Sequence, residues 1–173
     1  MRDRCFWPIF LGLALVTARA SADWQYTKWG MTPEEVVAAS NGLATEVSPE
    51  EKGKGGGALN DLENTEVLLK APHEAGRYKF TASFCFDKVG HRLSAVQLIL
   101  DKERLSPLGV ELLASLGQKY GTPVTKKESL LLQRIEWRAE NETVIYIRLG
   151  SADSPLGILV EYAPIKTKEN EKL

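Results

Sequence analysis

The feature that most restricts the fold is a segment in which bulky apolar side chains occupy every second position. In 78–86, one set of alternate residues is Tyr78, Phe80, Ala82, Phe84 and Phe86, and the other is Lys79, Thr81, Ser83 and Cys85. Successive side chains of a strand point to opposite faces, whereas a helix would spread each set around its axis. The segment therefore predicts a β-strand with one strongly apolar face.

The segment that follows predicts a second strand paired with the first. Asp87-Lys88-Val89-Gly90 has the composition of a turn, and it leads into 91–100, where Val96, Leu98 and Leu100 alternate inward. An antiparallel hairpin with one solvated face is expected. Strand patterns also occur in 66–70, 131–138, 143–149 and 158–162.

The first predicted helix begins with a strong set of N-terminal signals. Thr32 suits the N-cap, Pro33 suits the first helical position, and Glu35 stands where a capping-box partner belongs. Asn41-Gly42 supplies the stop, so a helix over 33–41 is expected.

Ser106-Pro107 predicts a second helix by the same combination of cap and proline, and Gly121 ends it. An apolar stripe between them is formed by Val110, Leu112, Leu113, Leu116 and Tyr120. The order of elements is helix, about three strands, helix, three strands. We therefore predict an α+β fold, an antiparallel sheet with two helices, in which a tandem α-β-β-β repeat would have halves 31–101 and 106–163.

Three other parts of the chain carry weaker patterns. The aromatic segment 24–29 is expected to be a short strand or a packed arm. Residues 44–63 include a glycine-rich run and predict a mobile loop. The charged tail 166–173 predicts disorder, so the single domain is expected to span 23–165.

The N-terminus predicts a cleavable secretion signal over 1–22. A basic start precedes 5–16, an uncharged and mainly apolar run, and small-residue patterns end at Ala20 and Ala22. The run is shorter than the roughly 20 apolar residues of a membrane span, although an uncleaved anchor is the alternative. We expect cleavage near Ala20 or Ala22, and a periplasmic or secreted mature chain without a transmembrane segment.

Charge and cysteine content exclude some classes of protein. The formal net charge is −1 and both signs are interspersed, whereas a nucleic-acid binder would show a concentrated basic stripe. Cys85 is the only cysteine after the predicted signal, so no intramolecular disulfide is expected. Its place in a strand favours a small, partly buried apolar side chain.

No catalytic, cofactor or metal site is predicted. The only histidines, His73 and His91, are placed in turns without nearby cysteines, whereas a zinc site needs three or four ligands. Neither accompanies a known nucleophile motif. The glycine-rich run 53–57 lacks the Ser or Thr that a phosphate-binding P-loop needs after its lysine.

Charged residues alternate along the last three predicted strands. The candidate interaction surface consists of Arg134, Glu136, Arg138, Arg148 and Glu161. Such alternation is typical of a solvated sheet face with cross-strand charge pairs. A recognition surface for another protein is the alternative interpretation.

Several segments together resemble a group of uncharacterised bacterial exported proteins. They are Lys28-Trp29-Gly30-Met31-Thr32-Pro33-Glu34-Glu35-Val36, Phe84-x-Phe86-Asp87 with Leu93-x-x-Val96, and Leu116-x-x-Lys119-Tyr120-Gly121-x-Pro123. The Gly-Met-Thr helix start is also similar to that of small outer-membrane-assembly lipoproteins and of the β-lactamase-inhibitor-like fold. This resemblance implies α/β units that bind other proteins and have no active site. The chain lacks the acylated cysteine of the lipoproteins and the paired cysteines of the inhibitors, so neither anchoring nor inhibition is carried over.

These observations rank three classes of function. The first is a non-enzymatic exported protein that binds an envelope protein through its sheet face or loops, with its oligomeric state left open. The second is a carrier of a small apolar ligand or lipid in a pocket between sheet and helices. The third is a hydrolase that uses His73 or His91.

Overall fold

The computed structural model describes residues 24–52, 64–101, 105–151 and 153–165 of the chain. In chain order the elements are α1 Pro33–Ala39, β1 Thr45–Glu46, β2 Thr65–Ala75, β3 Tyr78–Asp87, β4 Leu93–Leu100, α2 Leu105–Tyr120, β5 Thr125–Glu128, β6 Leu132–Arg138, β7 Glu142–Gly150 and β8 Pro155–Pro164. The predicted signal peptide 1–22, most of the glycine-rich loop and the tail 166–173 lie outside the described residues. Neither described helix is long and apolar enough to cross a membrane.

The described strands form a single antiparallel sheet in the order β1-β2-β3-β4-β8-β7-β6-β5. Its centre is the pairing of β4 with β8, which joins the strands of the first half of the chain to those of the second. The predicted α+β class with two helices is confirmed. In the described part of the chain, four strands follow each helix rather than the predicted three. The additional strands are the short edge strands β1 and β5, which carry too few residues to show an alternating pattern. The tandem repeat stays a prediction, since the order of elements alone does not show internal homology.

The main core lies on one face of the sheet, beneath both helices. Helix α1 contributes Val36, and α2 contributes Leu108, Leu112 and Leu116. The sheet contributes the alternate residues Phe80, Ala82, Phe84 and Phe86 of β3, with Val96, Leu98 and Leu100 of β4. Each large side chain buried here stabilises the fold by about 1.5–3 kcal/mol. The other face of the sheet is called the open face below.

Helix α1 is capped as the sequence predicts. The Thr32 hydroxyl accepts from the Glu35 backbone N–H at 3.3 Å, and the Glu35 carboxylate accepts from the Thr32 N–H at 2.8 Å. The helix ends at Ala39, and the predicted stop at Asn41 and Gly42 adopts the left-handed conformation, with φ of 54° and 81°. The aromatic segment before it is a packed arm without a strand, in which Trp24 is buried against the core.

Strand β2 is longer than the predicted 66–70, and this corrects the placement of His73 in a turn. His73 lies within the strand and pairs with Phe80, and the turn begins only at Gly76. Proline usually interrupts a sheet, so the presence of Pro72 favours the prediction that the strand ends before it. The short β1 pairs only with Leu69 and Lys70, so the outer side of Pro72 faces an edge of the described sheet, where proline is tolerated.

Helix α2 begins at Leu105, so Ser106 lies in its first turn instead of capping it. Proline is accepted at Pro107 because the first turn of a helix has no intrahelical partners for its N–H groups. The end of the helix is as predicted, with Gly121 at a φ of 75°. The Trp137 indole N–H donates to the Gly121 carbonyl at 3.0 Å and fixes the helix end against β6.

Candidate functional site

The open face carries two adjacent rows of side chains that cross the centre of the sheet. One row consists of Lys70, Ser83, Gln97, Glu161, Ile145 and Glu136, and the next of Thr81, Ile99, Leu159, Ile147 and Arg134. Among the described residues, both helices lie on the opposite side of the sheet. The two rows therefore mix apolar and charged side chains on a face that no described helix covers.

Arg134 and Glu136 form an ion pair along β6, with 3.0 Å between Nη1 and Oε2. Their side chains are only 14% and 20% exposed. The register places Arg134 beside Ile147 and Glu136 beside Ile145, and both isoleucines are buried. The charged pair thus lies largely buried beside apolar side chains of β7.

Glu161 is buried at the centre of the same face. Its Oε2 accepts a hydrogen bond from Gln97 Nε2 at 2.9 Å across the β4–β8 junction. A buried carboxylate needs such donors, because desolvation otherwise costs several kcal/mol. Cys85 lies nearby on β3, and burial, followed by the negative charge of Glu161, raises the pKa of its thiol. This arrangement makes Cys85 a weak nucleophile.

The structure brings together four of the five residues of the candidate interaction surface. Arg134, Glu136, Arg138 and Glu161 share the open face, and Arg138 is exposed at its rim. Arg148 pairs in register with Gln133 and Ile158, which places it on the helix face. Its Nε is buried without a hydrogen-bond partner in the described part of the chain.

A second feature is a cleft of about 470 Å³ on the helix face, between α2 and the N-terminal arm. The floor is formed by Phe80, Leu98, Val160 and Tyr162, one wall by Trp24, His73 and Tyr78, and the other wall by Leu112, Leu116 and Tyr120. An ion pair between Arg77 and Glu111 links the β2–β3 turn to α2. The cleft is therefore mainly apolar and aromatic, and it has the volume of a small-molecule site.

The cleft becomes polar at the end of α2, where Lys119, Tyr120, Glu142 and Tyr162 meet. The Lys119 ammonium lies 4.7 Å from the centre of the Tyr120 ring. Burial raises the pKa of Glu142, against the opposing charge of Lys119. Burial also raises the pKa of Tyr162, and the Tyr120 hydroxyl and Glu142 carboxylate raise it further. The Tyr120 hydroxyl is itself buried, beside the hydroxyl of Tyr162.

The two histidines occupy separate environments. His73 packs between Trp24 and Phe80, with ring centres 5.3 Å and 6.0 Å away, and burial lowers its pKa. His91 lies in the β3–β4 turn, with Nδ1 3.2 Å from an oxygen of Glu66. Within the described ranges, no three His, Cys, Asp or Glu side chains are grouped closely enough to hold a metal ion.

Sequence reasoning identified four of the open-face charges, Arg134, Glu136, Arg138 and Glu161, but it did not identify the residues that line the cleft. Its polar residues come from the end of α2, the start of β7 and the end of β8, and no local pattern connects them. A signal was present at Tyr120 and Tyr162, two polar-tipped aromatics at inward positions of predicted elements, since a buried tyrosine hydroxyl usually requires a partner.

Comparison with protein-family models, curated proteins and solved structures finds no match to this chain. The geometry of its own residues is therefore the basis for a functional argument.

Proposed function

We propose that this chain is a non-enzymatic exported protein that binds an envelope protein through the open face of its sheet. The observation that carries the proposal is the ordered mixture of apolar and charged side chains on that face. Ile99 is 43% exposed and Leu149 is 38% exposed, whereas Gln97, Glu161, Ile145 and Ile147 at the centre of the face are buried. Protein interfaces combine such apolar contacts with charged side chains that set orientation and specificity.

The charge of the open face favours an acidic partner surface. Its basic strand residues are Lys70, Lys79, Lys127, Arg134 and Arg138, and its acidic ones are Glu74, Asp87, Glu136 and Glu161. Lys70, Lys79 and Arg134 form ion pairs with Glu51, Glu74 and Glu136, so the preference for an acidic partner rests on the exposed Lys127 and Arg138. Glu161 is buried and already accepts from Gln97, so it adds little negative charge at the surface. A complementary acidic patch on the partner would speed association and fix its orientation.

The export part of the proposal rests on the sequence of residues 1–22, which carries a basic start, an apolar run and small residues before Ala20 and Ala22. Removal of this segment would leave about 150 residues, a size at which one domain buries roughly two thirds of its unfolded surface. Such a domain can fold outside the cytoplasm without a disulfide.

Site-specific photo-crosslinking tests the proposal. A benzoylphenylalanine is introduced at Ile99 on the open face, and a matched one at Val110, which is 64% exposed on α2. Cells that export the full chain are irradiated, and adducts are identified by mass spectrometry. We expect a discrete protein adduct from position 99 and none from position 110. Adducts from position 110 alone, or from neither position, would overturn the assignment of the open face.

Charge reversal provides a second readout on the same adduct. Lys127→Glu and Arg138→Glu change exposed positions on the open face, whereas Lys28→Glu changes an exposed position on the N-terminal arm. The first two should reduce the adduct from position 99 at low salt, and the third should leave it unchanged, because attraction between surface charges acts over about 10 Å at 0.1 M salt. Equal effects of all three substitutions would contradict an acidic partner.

A further inference from the structure

The cleft on the helix face has a polar end beside the C-terminus of α2. Tyr120, Tyr162 and Glu142 meet there, and the Tyr120 hydroxyl is buried beside that of Tyr162. A ligand that enters this end would contact these polar groups as well as the apolar floor.

The charges at this end select the kind of group that would bind there. The Glu142 carboxylate supplies negative charge, and the Tyr120 ring presents a π face to which cations are attracted. Glu142 also lies beside the C-terminal end of α2, where the helix dipole carries partial negative charge. All three contributions favour a positively charged group and disfavour an anion.

The position of the Lys119 side chain indicates that this end of the cleft accommodates a positively charged group. Its ammonium already lies over the Tyr120 ring, 4.7 Å from the centre, and it lowers the pKa of Glu142. The side chain is exposed at the rim, so it can move into solvent at little cost. An incoming amine would replace the Lys119 ammonium in the same electrostatic environment.

The remainder of the cleft fits a flat apolar group. Trp24, Tyr78 and Phe80 provide aromatic surface, and Leu98 and Val160 complete the floor. We propose that the cleft binds a small amphiphile with a flat apolar body and a protonated amine, with the amine between Glu142 and the Tyr120 ring. This inference is independent of the partner on the open face, and it specifies the chemistry of the ligand-carrier alternative.

Three matched probes test the inference by calorimetric titration of the full chain. They are 2-(1-naphthyl)ethylamine, 2-(1-naphthyl)ethanol and 1-naphthylacetate, which share the ring system and differ in the charge of the head group. We expect the amine to bind about tenfold more tightly than the carboxylate, with the alcohol between them. No binding of the three probes, or equal affinity for all of them, would overturn the proposal.

Substitutions assign the preference to the cleft. Glu142→Gln should reduce the advantage of the amine to about twofold or less, while Glu140→Gln, an exposed carboxylate in the adjacent turn, should preserve it. Lys119→Met should strengthen amine binding, because the competing ammonium is removed. Thermal unfolding of each variant establishes that it is folded, and an unchanged preference in folded Glu142→Gln would refute the assignment. Since no partner protein is present, failure here is distinguishable from failure of the open-face proposal.

Discussion

Gly109 of helix α2 lies directly over the side chain of Ile158 on strand β8, with no room between them for a β-carbon. The Tyr146 hydroxyl donates to the Gly109 carbonyl at 3.5 Å, so the same turn of the helix is also bonded to β7. Ile158 and Tyr146 are both almost completely buried. The absence of a side chain at Gly109 therefore allows α2 to approach the sheet closely enough to form one wall of the cleft.

Gly109→Ala should destabilise the protein by about 1–3 kcal/mol, because the added methyl group collides with a buried side chain. The matched substitution Gly117→Ala lies in the same helix, where a β-carbon meets nothing within 4 Å. It should stabilise by about 0.5–1 kcal/mol, since alanine is the better helix former. Denaturant unfolding of both variants measures the difference, and destabilisation by both would show that packing at Gly109 is not the cause.

A double-mutant cycle can assign the cost of Gly109→Ala to Ile158. Ile158→Val removes the methyl group that the new β-carbon would meet, and alone it should cost about 0.5–1.5 kcal/mol. Combined with Gly109→Ala, it should cost less than the two single substitutions together. Strict additivity of the unfolding free energies would contradict a direct collision.

Asp87 should make stability depend on pH in the acid range. Its carboxylate accepts backbone N–H groups from Gly90, Arg92 and Val89, with 2.8 Å to Arg92 and 3.1 Å to Val89. Partial burial raises the pKa of Asp87, but these three bonds outweigh that effect and hold it below its ordinary value of 3.8. The folded state thus binds a proton less readily than the unfolded state, and the stabilisation is lost as the pH falls through the folded pKa.

Asp87→Asn should remove this acid dependence and cost about 1–2 kcal/mol at neutral pH, because the amide cannot accept from all three donors. The exposed Asp153→Asn is the control and should have little effect. Unfolding free energies measured between pH 2 and 7 test the comparison. Parallel pH curves for Asp87→Asn and the unsubstituted chain would contradict it.

Two substitutions of Thr32, the N-cap of α1, should reduce the stability of the protein to different extents. Thr32→Ala removes the acceptor of the Glu35 N–H and should cost about 1 kcal/mol, whereas Thr32→Ser keeps the hydroxyl and should cost much less. Chemical denaturation measures both. Equal losses would mean that the methyl group of Thr32, rather than its hydroxyl, stabilises the start of the helix.

Residues whose structure depends on near neighbours were predictable from the sequence. The alternation in β3 and β4, the Asp87 turn and the Thr32 cap all follow from local geometry. The edge strands β1 and β5 were missed because pairing with a neighbour defines them, rather than an alternating pattern. The extension of β2 past Pro72 was missed for the related reason that proline is tolerated there only because the short β1 does not pair with it in the described sheet.

The same distinction explains the candidate sites. The open-face charges were visible because β6 alternates clearly, yet Arg148 was grouped with them although the register of β7 turns it to the helix face. Prediction of the cleft would require the knowledge that β4 and β8 are neighbours in the sheet, since this pairing brings Leu98 next to Val160. Such long-range pairing leaves no trace in the sequence of either strand.

The free energy of unfolding should decrease on mild acidification because of His73. Burial between aromatic rings lowers its pKa below the ordinary value of 6.5, so the folded state favours the neutral imidazole. Stability should therefore fall as the pH decreases from 7 through 6.5 towards the lowered pKa. His73→Phe keeps an aromatic ring against Trp24 and Phe80 and should abolish this loss between pH 7 and 5. A variant with an unchanged slope in that range would show that other groups cause it.

Cys85 should resist thiol reagents while the protein is folded. Its side chain is completely buried, and burial, followed by the charge of Glu161, raises the pKa of the thiol. Because the thiolate is the reactive form, iodoacetamide at pH 8 should label the folded protein at least about a hundredfold more slowly than the protein in guanidinium chloride. Intact-mass measurements over time give both rates.

The number of labels gained on unfolding also tests the proposed export. Protein recovered outside the cytoplasm should gain one label in denaturant, at Cys85, because cleavage near Ala20 or Ala22 removes Cys5. The Cys85→Ala variant should then gain none. Two labels in total would show that the N-terminal segment is retained, whereas rapid labelling without denaturant that the Cys85→Ala substitution abolishes would show that Cys85 is accessible to solvent in the folded protein.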